Sequence, residues 1–236
     1  MSPRRVIPLL TLLVVVGAGA PADSARVDSR HADAAALYNS GTEALRRGDL
    51  GPAVALLEAA RRIDPRAGDV RANLAIARSR VQERAGSDSH GPIPVPSPLA
   101  LSAPERWNAA AAVAALGALI LLTAAFRPLP RRLAILGAAC FALGALSGLM
   151  LLLGAREEAR HPQAVVVAPV LDVLPAPDER PASPYLLAAG EEVRLGTTRG
   201  DLVEVRVGGN TIGWARRSGL WRVADAPRYT AGFGSR

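Results

Sequence analysis

The sequence predicts a multidomain membrane protein built from an α-helical unit, a two-helix transmembrane hairpin and a small all-β barrel. Three observations lead to this fold class: two long uncharged apolar segments, a helical periodicity before them, and short alternating apolar runs after them. Of the 236 residues, 50% are hydrophobic, and the apolar segments hold much of that share. Only modest soluble parts therefore remain on either side of the hairpin.

The central feature is a pair of apolar segments, residues 107–126 and 133–155, separated by a basic break at residues 127–132. An apolar helix needs roughly 17 to 25 residues to cross a bilayer, and both segments are long enough. A buried hairpin in a soluble core is the alternative, but a soluble helix of this length normally keeps one polar face. Neither segment has such a face, so we expect two transmembrane helices.

The charges around the hairpin predict its orientation. Arg127, Arg131 and Arg132 crowd the short loop, whereas the two outer flanks mix acidic and basic residues. The positive-inside rule then places the loop in the cytoplasm and both soluble parts on the opposite, extracytoplasmic face of the membrane. No charged residue lies inside either segment, which argues against a transporter subunit.

Residues 1–22 are typical of a signal peptide, because Arg4 and Arg5 precede an apolar run and the small residues Ala20-Pro21-Ala22. Cleavage after Ala22 would start the mature chain near Asp23. The alternative is an uncleaved anchor. In both cases the following region lies outside the cytoplasm, in agreement with the charges around the hairpin.

Small residues recur every four positions in the second apolar segment, at Cys140, Gly144 and Gly148. Such spacing lets helices approach closely in lipid, so we expect these residues to pack a helix within the hairpin or in another subunit. The alternative is coincidence, since alanine and glycine are abundant in both segments.

The formal net charge of +7 does not predict a nucleic-acid partner. All 28 basic residues are arginine, which indicates genome composition bias, and most of them alternate with acidic residues. Only the C-terminal part is locally basic, which allows contact with lipid head groups or an acidic partner, or simply a solvated face. Those basic residues are Arg216, Arg217, Arg222 and Arg228.

Residues 30–84 carry the periodicity of short amphipathic helices. Residues 34–64 predict two helices with a turn at Gly48-Asp49, and residues 69–83 predict a third. An offset of about 34 residues places Asn39 over Asn73 and Gly41 over Ala75, and this is a repeat period of helix pairs.

This pattern resembles the tetratricopeptide repeat (TPR), with Ser40 and Ala44 as departures from its usual leucine and tyrosine. The small-residue positions of the TPR are matched by Gly41, Ala53, Ala60 and Pro65. The inner face of such a unit would present candidate protein-binding residues, although ordinary solvated positions are the alternative. These candidates are Tyr38, Thr42, Arg46, Asn73 and Arg80. About three repeats are normally needed for stability, so this short unit is expected to lean on a partner or on the membrane surface.

Residues 85–105 are rich in proline, glycine and serine and predict an extended tether to the first span. After the second span, residues 162–225 contain β-rich runs separated by turn residues, and residues 226–236 form a tail. The runs are 165–167, 192–195, 202–207, 211–215 and 221–223. Gly208-Gly209-Asn210 predicts a tight hairpin turn, and residues 175–184 a surface loop.

The C-terminal part resembles the bacterial SH3 (SH3b) domain, a small SH3-like barrel. The matching stretches are residues 189–193, residues 203–207 and Gly213-Trp214-Ala215, whereas 174–175 and 201–202 depart from the family pattern. Tyr185, Trp214 and Trp221 are candidates for a recognition face, with a core role as the alternative for Trp214.

No catalytic constellation is visible, since His31, His90 and His161 are isolated and Cys140 has no titratable partner in its segment. We therefore expect no enzyme, no cofactor and no metal site. A lone cysteine also forms no intramolecular disulfide.

The order of export signal, TPR-like unit, two spans and SH3-like domain resembles the BatE-type proteins of bacterial aerotolerance (Bat) operons. The stretches Tyr38-Asn39-x-Gly41 and Asn73-Leu74-Ala75-Ile76-Ala77-Arg78 look like theirs. The resemblance implies a scaffold that works with von Willebrand factor A-type membrane proteins and a MoxR-type ATPase. We expect a non-enzymatic membrane-anchored adaptor whose exported modules bind protein partners. The alternative is an envelope sensor whose SH3-like domain binds peptidoglycan.

Overall fold

The computed structural model describes residues 20–85, 101–127, 130–179 and 185–226. Most of the predicted signal peptide, most of the proline-rich linker with His90, residues 180–184 of the predicted surface loop, and the predicted tail from residue 227 onward, with Arg228, lie outside these residues. The helices are α1 Ala20–Arg47, α2 Leu50–Ile63, α3 Gly68–Ala85, α4 Ala103–Phe126 and α5 Arg131–Arg160. The strands are β1 Gln163–Val166, β2 Val170–Val173, β3 Tyr185–Ala188, β4 Glu192–Arg199, β5 Leu202–Val207, β6 Asn210–Arg216 and β7 Leu220–Arg222.

The helical unit, α1 to α3, contains the three helices that the periodicity predicts. Gly48, with φ 82°, provides the left-handed conformation that ends α1, and α2 begins at Leu50. The buried face of α3 consists of Val70, Leu74, Ala77 and Val81, at helical spacing. The helix α1 begins at Ala20, before residue 30 where the helical unit was predicted to start, and it includes the predicted cleavage bond after Ala22.

The apolar hairpin, α4 and α5, is long and apolar enough to cross a membrane by length and composition. Both helices extend beyond the predicted apolar segments, since α4 includes residues 103–105 of the predicted linker and α5 continues to Arg160. Ser102 begins α4 with a capping box, in which Glu105 accepts from the backbone N–H of Ser102 at 2.8 Å.

The β unit, β1 to β7, contains a five-stranded antiparallel sheet in the order β6-β5-β4-β1-β7 and a separate hairpin of β2 and β3. The strands β2 and β3 are not among the β-rich runs that the sequence predicts. An isolated bridge joins the two sheets, because Leu174 and Trp214 exchange two backbone hydrogen bonds of 2.7 Å. Gly208 and Gly209 both have positive φ and form the predicted two-residue turn between β5 and β6.

The helical unit and the β unit share one hydrophobic core, and together they are called the composite unit below. Val165 of β1, Val223 and Ala226 are buried in the same cluster as α2, and Trp221 packs against it. Residue 226 therefore belongs to this core and not to the tail. The helical unit therefore packs against the β unit of its own chain. This contact stabilises a helical unit that is too short to be stable by itself.

Two glycines permit this contact between the units. A Cβ added to Gly51 of α2 would lie 2.5 Å from the backbone oxygen of Val166. Gly190, with φ 95°, lies directly against Val81 of α3. Because β1 and β7 cover the second side of α2, this helix is buried almost all round instead of being amphipathic.

Candidate functional site

Three of the predicted protein-binding residues lie together between α1 and α3. The side-chain amide of Asn73 donates to the hydroxyl oxygen of Thr42 at 2.9 Å and to that of Tyr38 at 3.3 Å. All three side chains are half-buried. We call them the α1–α3 polar cluster, and it offers hydroxyl and amide groups at the surface of the helical unit.

Arg46 and Arg80, the other two predicted residues of this face, lie toward the C-terminal end of α1. Arg80 donates to the carbonyl of Leu45 at 3.2 Å, and Arg46 pairs with Glu43 at 2.8 Å. Arg80 therefore satisfies a carbonyl in the last turn of α1, which is an ordinary structural role for an arginine.

The three aromatic candidates of the β unit do not form one face. Trp214 is half-buried on β6 and Trp221 lies on β7, at the opposite edge of the five-stranded sheet. Trp221 packs against the core that the helical unit shares. Tyr185 is 56% exposed and pairs with Val173, so it lies near the Leu174–Trp214 bridge.

The small residues of the second apolar segment differ in their surroundings. A Cβ added to Gly144 would lie 2.5 Å from the backbone nitrogen of Ala114 on α4. Nothing lies within 4 Å of a Cβ added to Gly148, and Cys140 is half-buried. Gly144 therefore permits close packing within the hairpin, and Gly148 does not contribute to that contact.

A buried network of ion pairs, which the sequence does not predict, joins the helical unit to the β unit. Glu58 of α2 is 1% exposed and accepts from Arg61 at 2.8 Å and from Arg78 of α3 at 3.3 Å. Arg78 also pairs with Glu192 of β4 at 2.6 Å, and Glu192 accepts from the amide of Gln163 at 2.8 Å. A lone carboxylate in the apolar run of α2 is the one local signal that could have indicated it.

Two groups of this network, the carboxyl group of Glu192 and the guanidinium group of Arg61, have shifted pKa values. Burial raises the pKa of Glu192, although the nearby Arg78 guanidinium works against that change. The side-chain hydrogen bond to Glu58 raises the pKa of Arg61, against the opposing effect of burial. Because burial dominates at Glu192, the charged form of this residue is less favourable in the composite unit than it is in water.

Ion pairs connect the composite unit to the outer ends of both apolar helices. Glu158, beyond the apolar part of α5, pairs with Arg62 of α2 at 3.0 Å and with Arg194 of β4 at 3.5 Å. Glu105, in the first turn of α4, pairs with Arg66 at 3.1 Å. The C-terminal end of α2 and the turn after it therefore contact both ends of the hairpin.

The described residues contain no group of three histidine, cysteine or acidic side chains that could hold a metal ion. The arrangement instead offers polar and apolar surfaces on a unit that is fixed to the hairpin. No protein-family model matches the chain, and searches of curated proteins and of solved structures find no similar protein.

Proposed function

We propose that the protein is a non-enzymatic membrane-anchored adaptor whose composite unit binds protein partners outside the cytoplasm. The observation that carries this proposal is the set of ion pairs from Glu105 and Glu158 to Arg66 and Arg62, at the C-terminal end of α2 and in the turn after it. These pairs join the composite unit to the hairpin, and the shared core lets the TPR-like and SH3-like parts act as one body.

Membrane anchoring and orientation are supported by the apolar hairpin and its charges. An α4–α5 hairpin in a bilayer brings both outer ends to one side, which agrees with the pairing of both ends to one short stretch of the chain, the end of α2 and the turn after it. The arginines at 127, 131 and 132 favour the cytoplasm for the opposite side. The composite unit then faces the periplasm or the exterior of the bacterial inner membrane.

Partner binding is supported by two surfaces of the composite unit. The first is the α1–α3 polar cluster. The second is an apolar surface on one face of the β2–β3 hairpin, where Val170 and Leu186 are 58% and 54% exposed. The resemblance to BatE-type proteins suggests von Willebrand factor A-type membrane proteins and a MoxR-type ATPase as the system in which this adaptor works.

Crosslinking in native membranes tests the adaptor proposal. Recovery of the full chain after crosslinking is expected to bring down other membrane proteins, and Asn73→Ala is expected to reduce that yield. Arg71→Ala is a matched control, because Arg71 is exposed on the same helix outside the polar cluster. Recovery of the chain alone, with no crosslinked partner, contradicts the proposal.

Peptidoglycan binding by the β unit is a second candidate, favoured by the exposed Tyr185 near Trp214. The test is sedimentation of the full chain, in detergent, with purified cell wall. The full chain is needed because residues 162–226 alone would expose Val165 and Val223, which pack against α2. An adaptor stays in the supernatant, whereas an envelope sensor sediments and loses that property in Tyr185→Ala.

A further inference from the structure

His161 joins the second apolar helix to the β unit. It follows the last residue of α5, and its backbone N–H donates to the carbonyl of Glu157 at 2.8 Å. Its side chain is 25% exposed and contacts the strands β4 and β5. A change in this side chain therefore acts on the junction between the hairpin and the composite unit.

The hydrogen bonds of the ring determine which nitrogen carries the proton. Nε2 of His161 lies 2.9 Å from Nη1 of Arg206, and Nδ1 lies 3.3 Å from the carbonyl oxygen of Leu195. A guanidinium has only donors and stays protonated in proteins. Nε2 must therefore accept, and Nδ1 carries the proton and donates to Leu195. This geometry requires a neutral imidazole.

A second proton on the ring removes its contact with β5. With a proton on Nε2, two donors and two positive charges would face each other across 2.9 Å. The carboxylate of Glu157, one turn back on α5, lies 4.0 Å from the same nitrogen. The neighbouring Glu158 is engaged by arginines of α2 and β4, and one of these, Arg194, also donates to the carbonyl of His161 at 3.1 Å. Glu157 is therefore the acceptor toward which a protonated ring turns.

We propose that protonation of His161 exchanges its partner from Arg206 on β5 to Glu157 on α5 and so loosens the β unit from the end of α5. The contact with Arg206 is present while the ring is neutral, hence at higher pH, and it is lost as the pH falls. Histidine is the side chain that ordinarily changes charge in this range of pH. After the exchange, Arg206 keeps its hydrogen bond to the carbonyl of Gly209, which is 3.0 Å long.

Hydrogen–deuterium exchange of the full chain in lipid nanodiscs tests this switch, at about pH 8 and about pH 5 with correction for intrinsic rates. In the wild type, amides of β5 and of the last turn of α5 are expected to exchange about tenfold faster at the lower pH, relative to α2. In the His161→Gln variant, the glutamine side chain can accept from Arg206 but cannot gain a charge. This substitution is therefore expected to abolish the pH response. His31→Gln is the matched control, since His31 lies on α1 and faces Asp64 at 3.9 Å, and it should keep the response of β5 and of the last turn of α5.

Two results would overturn the switch: a wild type without the local response, or a His161→Gln variant that retains it. Glu157→Gln removes the negative charge that attracts the protonated ring and is expected to move the response to lower pH, and an unmoved response refutes the exchange of partners. A measurement without variants is the ¹⁵N spectrum of histidine-labelled wild type at high pH. The Nδ1–H tautomer is expected for His161, and the Nε2–H tautomer contradicts the geometry.

Discussion

Replacing Glu58 by glutamine should destabilise the composite unit by about 3 kcal/mol. Glutamine keeps the size of the side chain but removes the charge that holds Arg61 at 2.8 Å and Arg78 at 3.3 Å. Breaking a buried ion pair costs about 3–5 kcal/mol, because the remaining charge loses its partner in a poorly hydrated site. The low end applies here, since the Arg61 side chain is 39% exposed and Arg78 keeps Glu192 at 2.6 Å.

Urea and thermal unfolding of the full chain in detergent measure this change, and the expected loss corresponds to a Tm about 10 °C lower. Two other variants, in which glutamine replaces a different glutamate, serve as comparisons. Glu192→Gln should change stability by less than about 1 kcal/mol at neutral pH, because burial already disfavours its charged form. Glu43→Gln removes exposed helical pairs and should cost about 0.5 kcal/mol.

The reasoning fails if Glu58→Gln costs no more than Glu43→Gln, because the network would then be hydrated like a surface pair. It also fails if Glu192→Gln destabilises as much as Glu58→Gln. In that case the attraction of Arg78 would outweigh burial at β4, and the assignment of the dominant effect at Glu192 would be wrong.

Three further predictions concern other contacts of the same chain. Gly144→Ala should lower the free energy of unfolding of the full chain in detergent by about 1–3 kcal/mol, because the added methyl group overpacks against α4. Gly148→Ala should change this free energy by no more than about 0.5 kcal/mol. Equal effects of the two substitutions would contradict the packing described. Because the pKa of Glu192 is raised on folding, its contribution to stability is present below its unfolded pKa and is lost as the pH rises through the folded value. Urea unfolding from about pH 4 to about pH 7 should therefore show the wild type losing stability relative to Glu192→Gln, and a relative gain would refute the burial argument. Gly190→Ala should cost more than about 2 kcal/mol in unfolding experiments, because its positive φ is strained for alanine and a side chain of α3 blocks the space. Gly200→Ala, with positive φ but open space, should cost about 1 kcal/mol, and the two variants should not be equal.

The sequence predicts the helices well because their signals are local. The buried positions of α3 follow its own periodicity, and the turn at Gly48 needs only a residue that accepts positive φ. The apolar composition of α4 and α5 likewise predicts the apolar parts of these helices without reference to any partner, whereas their extensions at 103–106 and 156–160 are charged. The tight turn at Gly208 and Gly209 belongs to the same class of short-range signal.

Contacts between distant parts of the chain could not be predicted in this way. The burial of both sides of α2 depends on β1 and β7, which follow the apolar hairpin in the sequence. The pairing of Arg62 with Glu158 joins two ordinary charged residues, and neither residue type indicates its partner. The strands β2 and β3 lie on either side of the proline-rich stretch 175–184, and the turn signals of that stretch favour a loop over two short strands.

Only part of the candidate site could be predicted, because the rest of it also depends on contacts between distant parts of the chain. Tyr38, Thr42 and Asn73 come together because the spacing of α1 and α3 places them on facing sides of two helices. Trp214 and Trp221 are close in sequence, yet the strand order places them at opposite edges of one sheet. The assignment to BatE-type proteins stays a prediction from domain order and short motifs.

The shared core has a consequence for synthesis of the chain. The side of α2 that contacts the β unit stays without its cover until Val165, and finally Val223 and Ala226, have left the ribosome. By then both helices of the apolar hairpin have already been made. The composite unit therefore closes last, after the hairpin, and a chain that stops before β7 carries an open apolar surface that chaperones and proteases recognise.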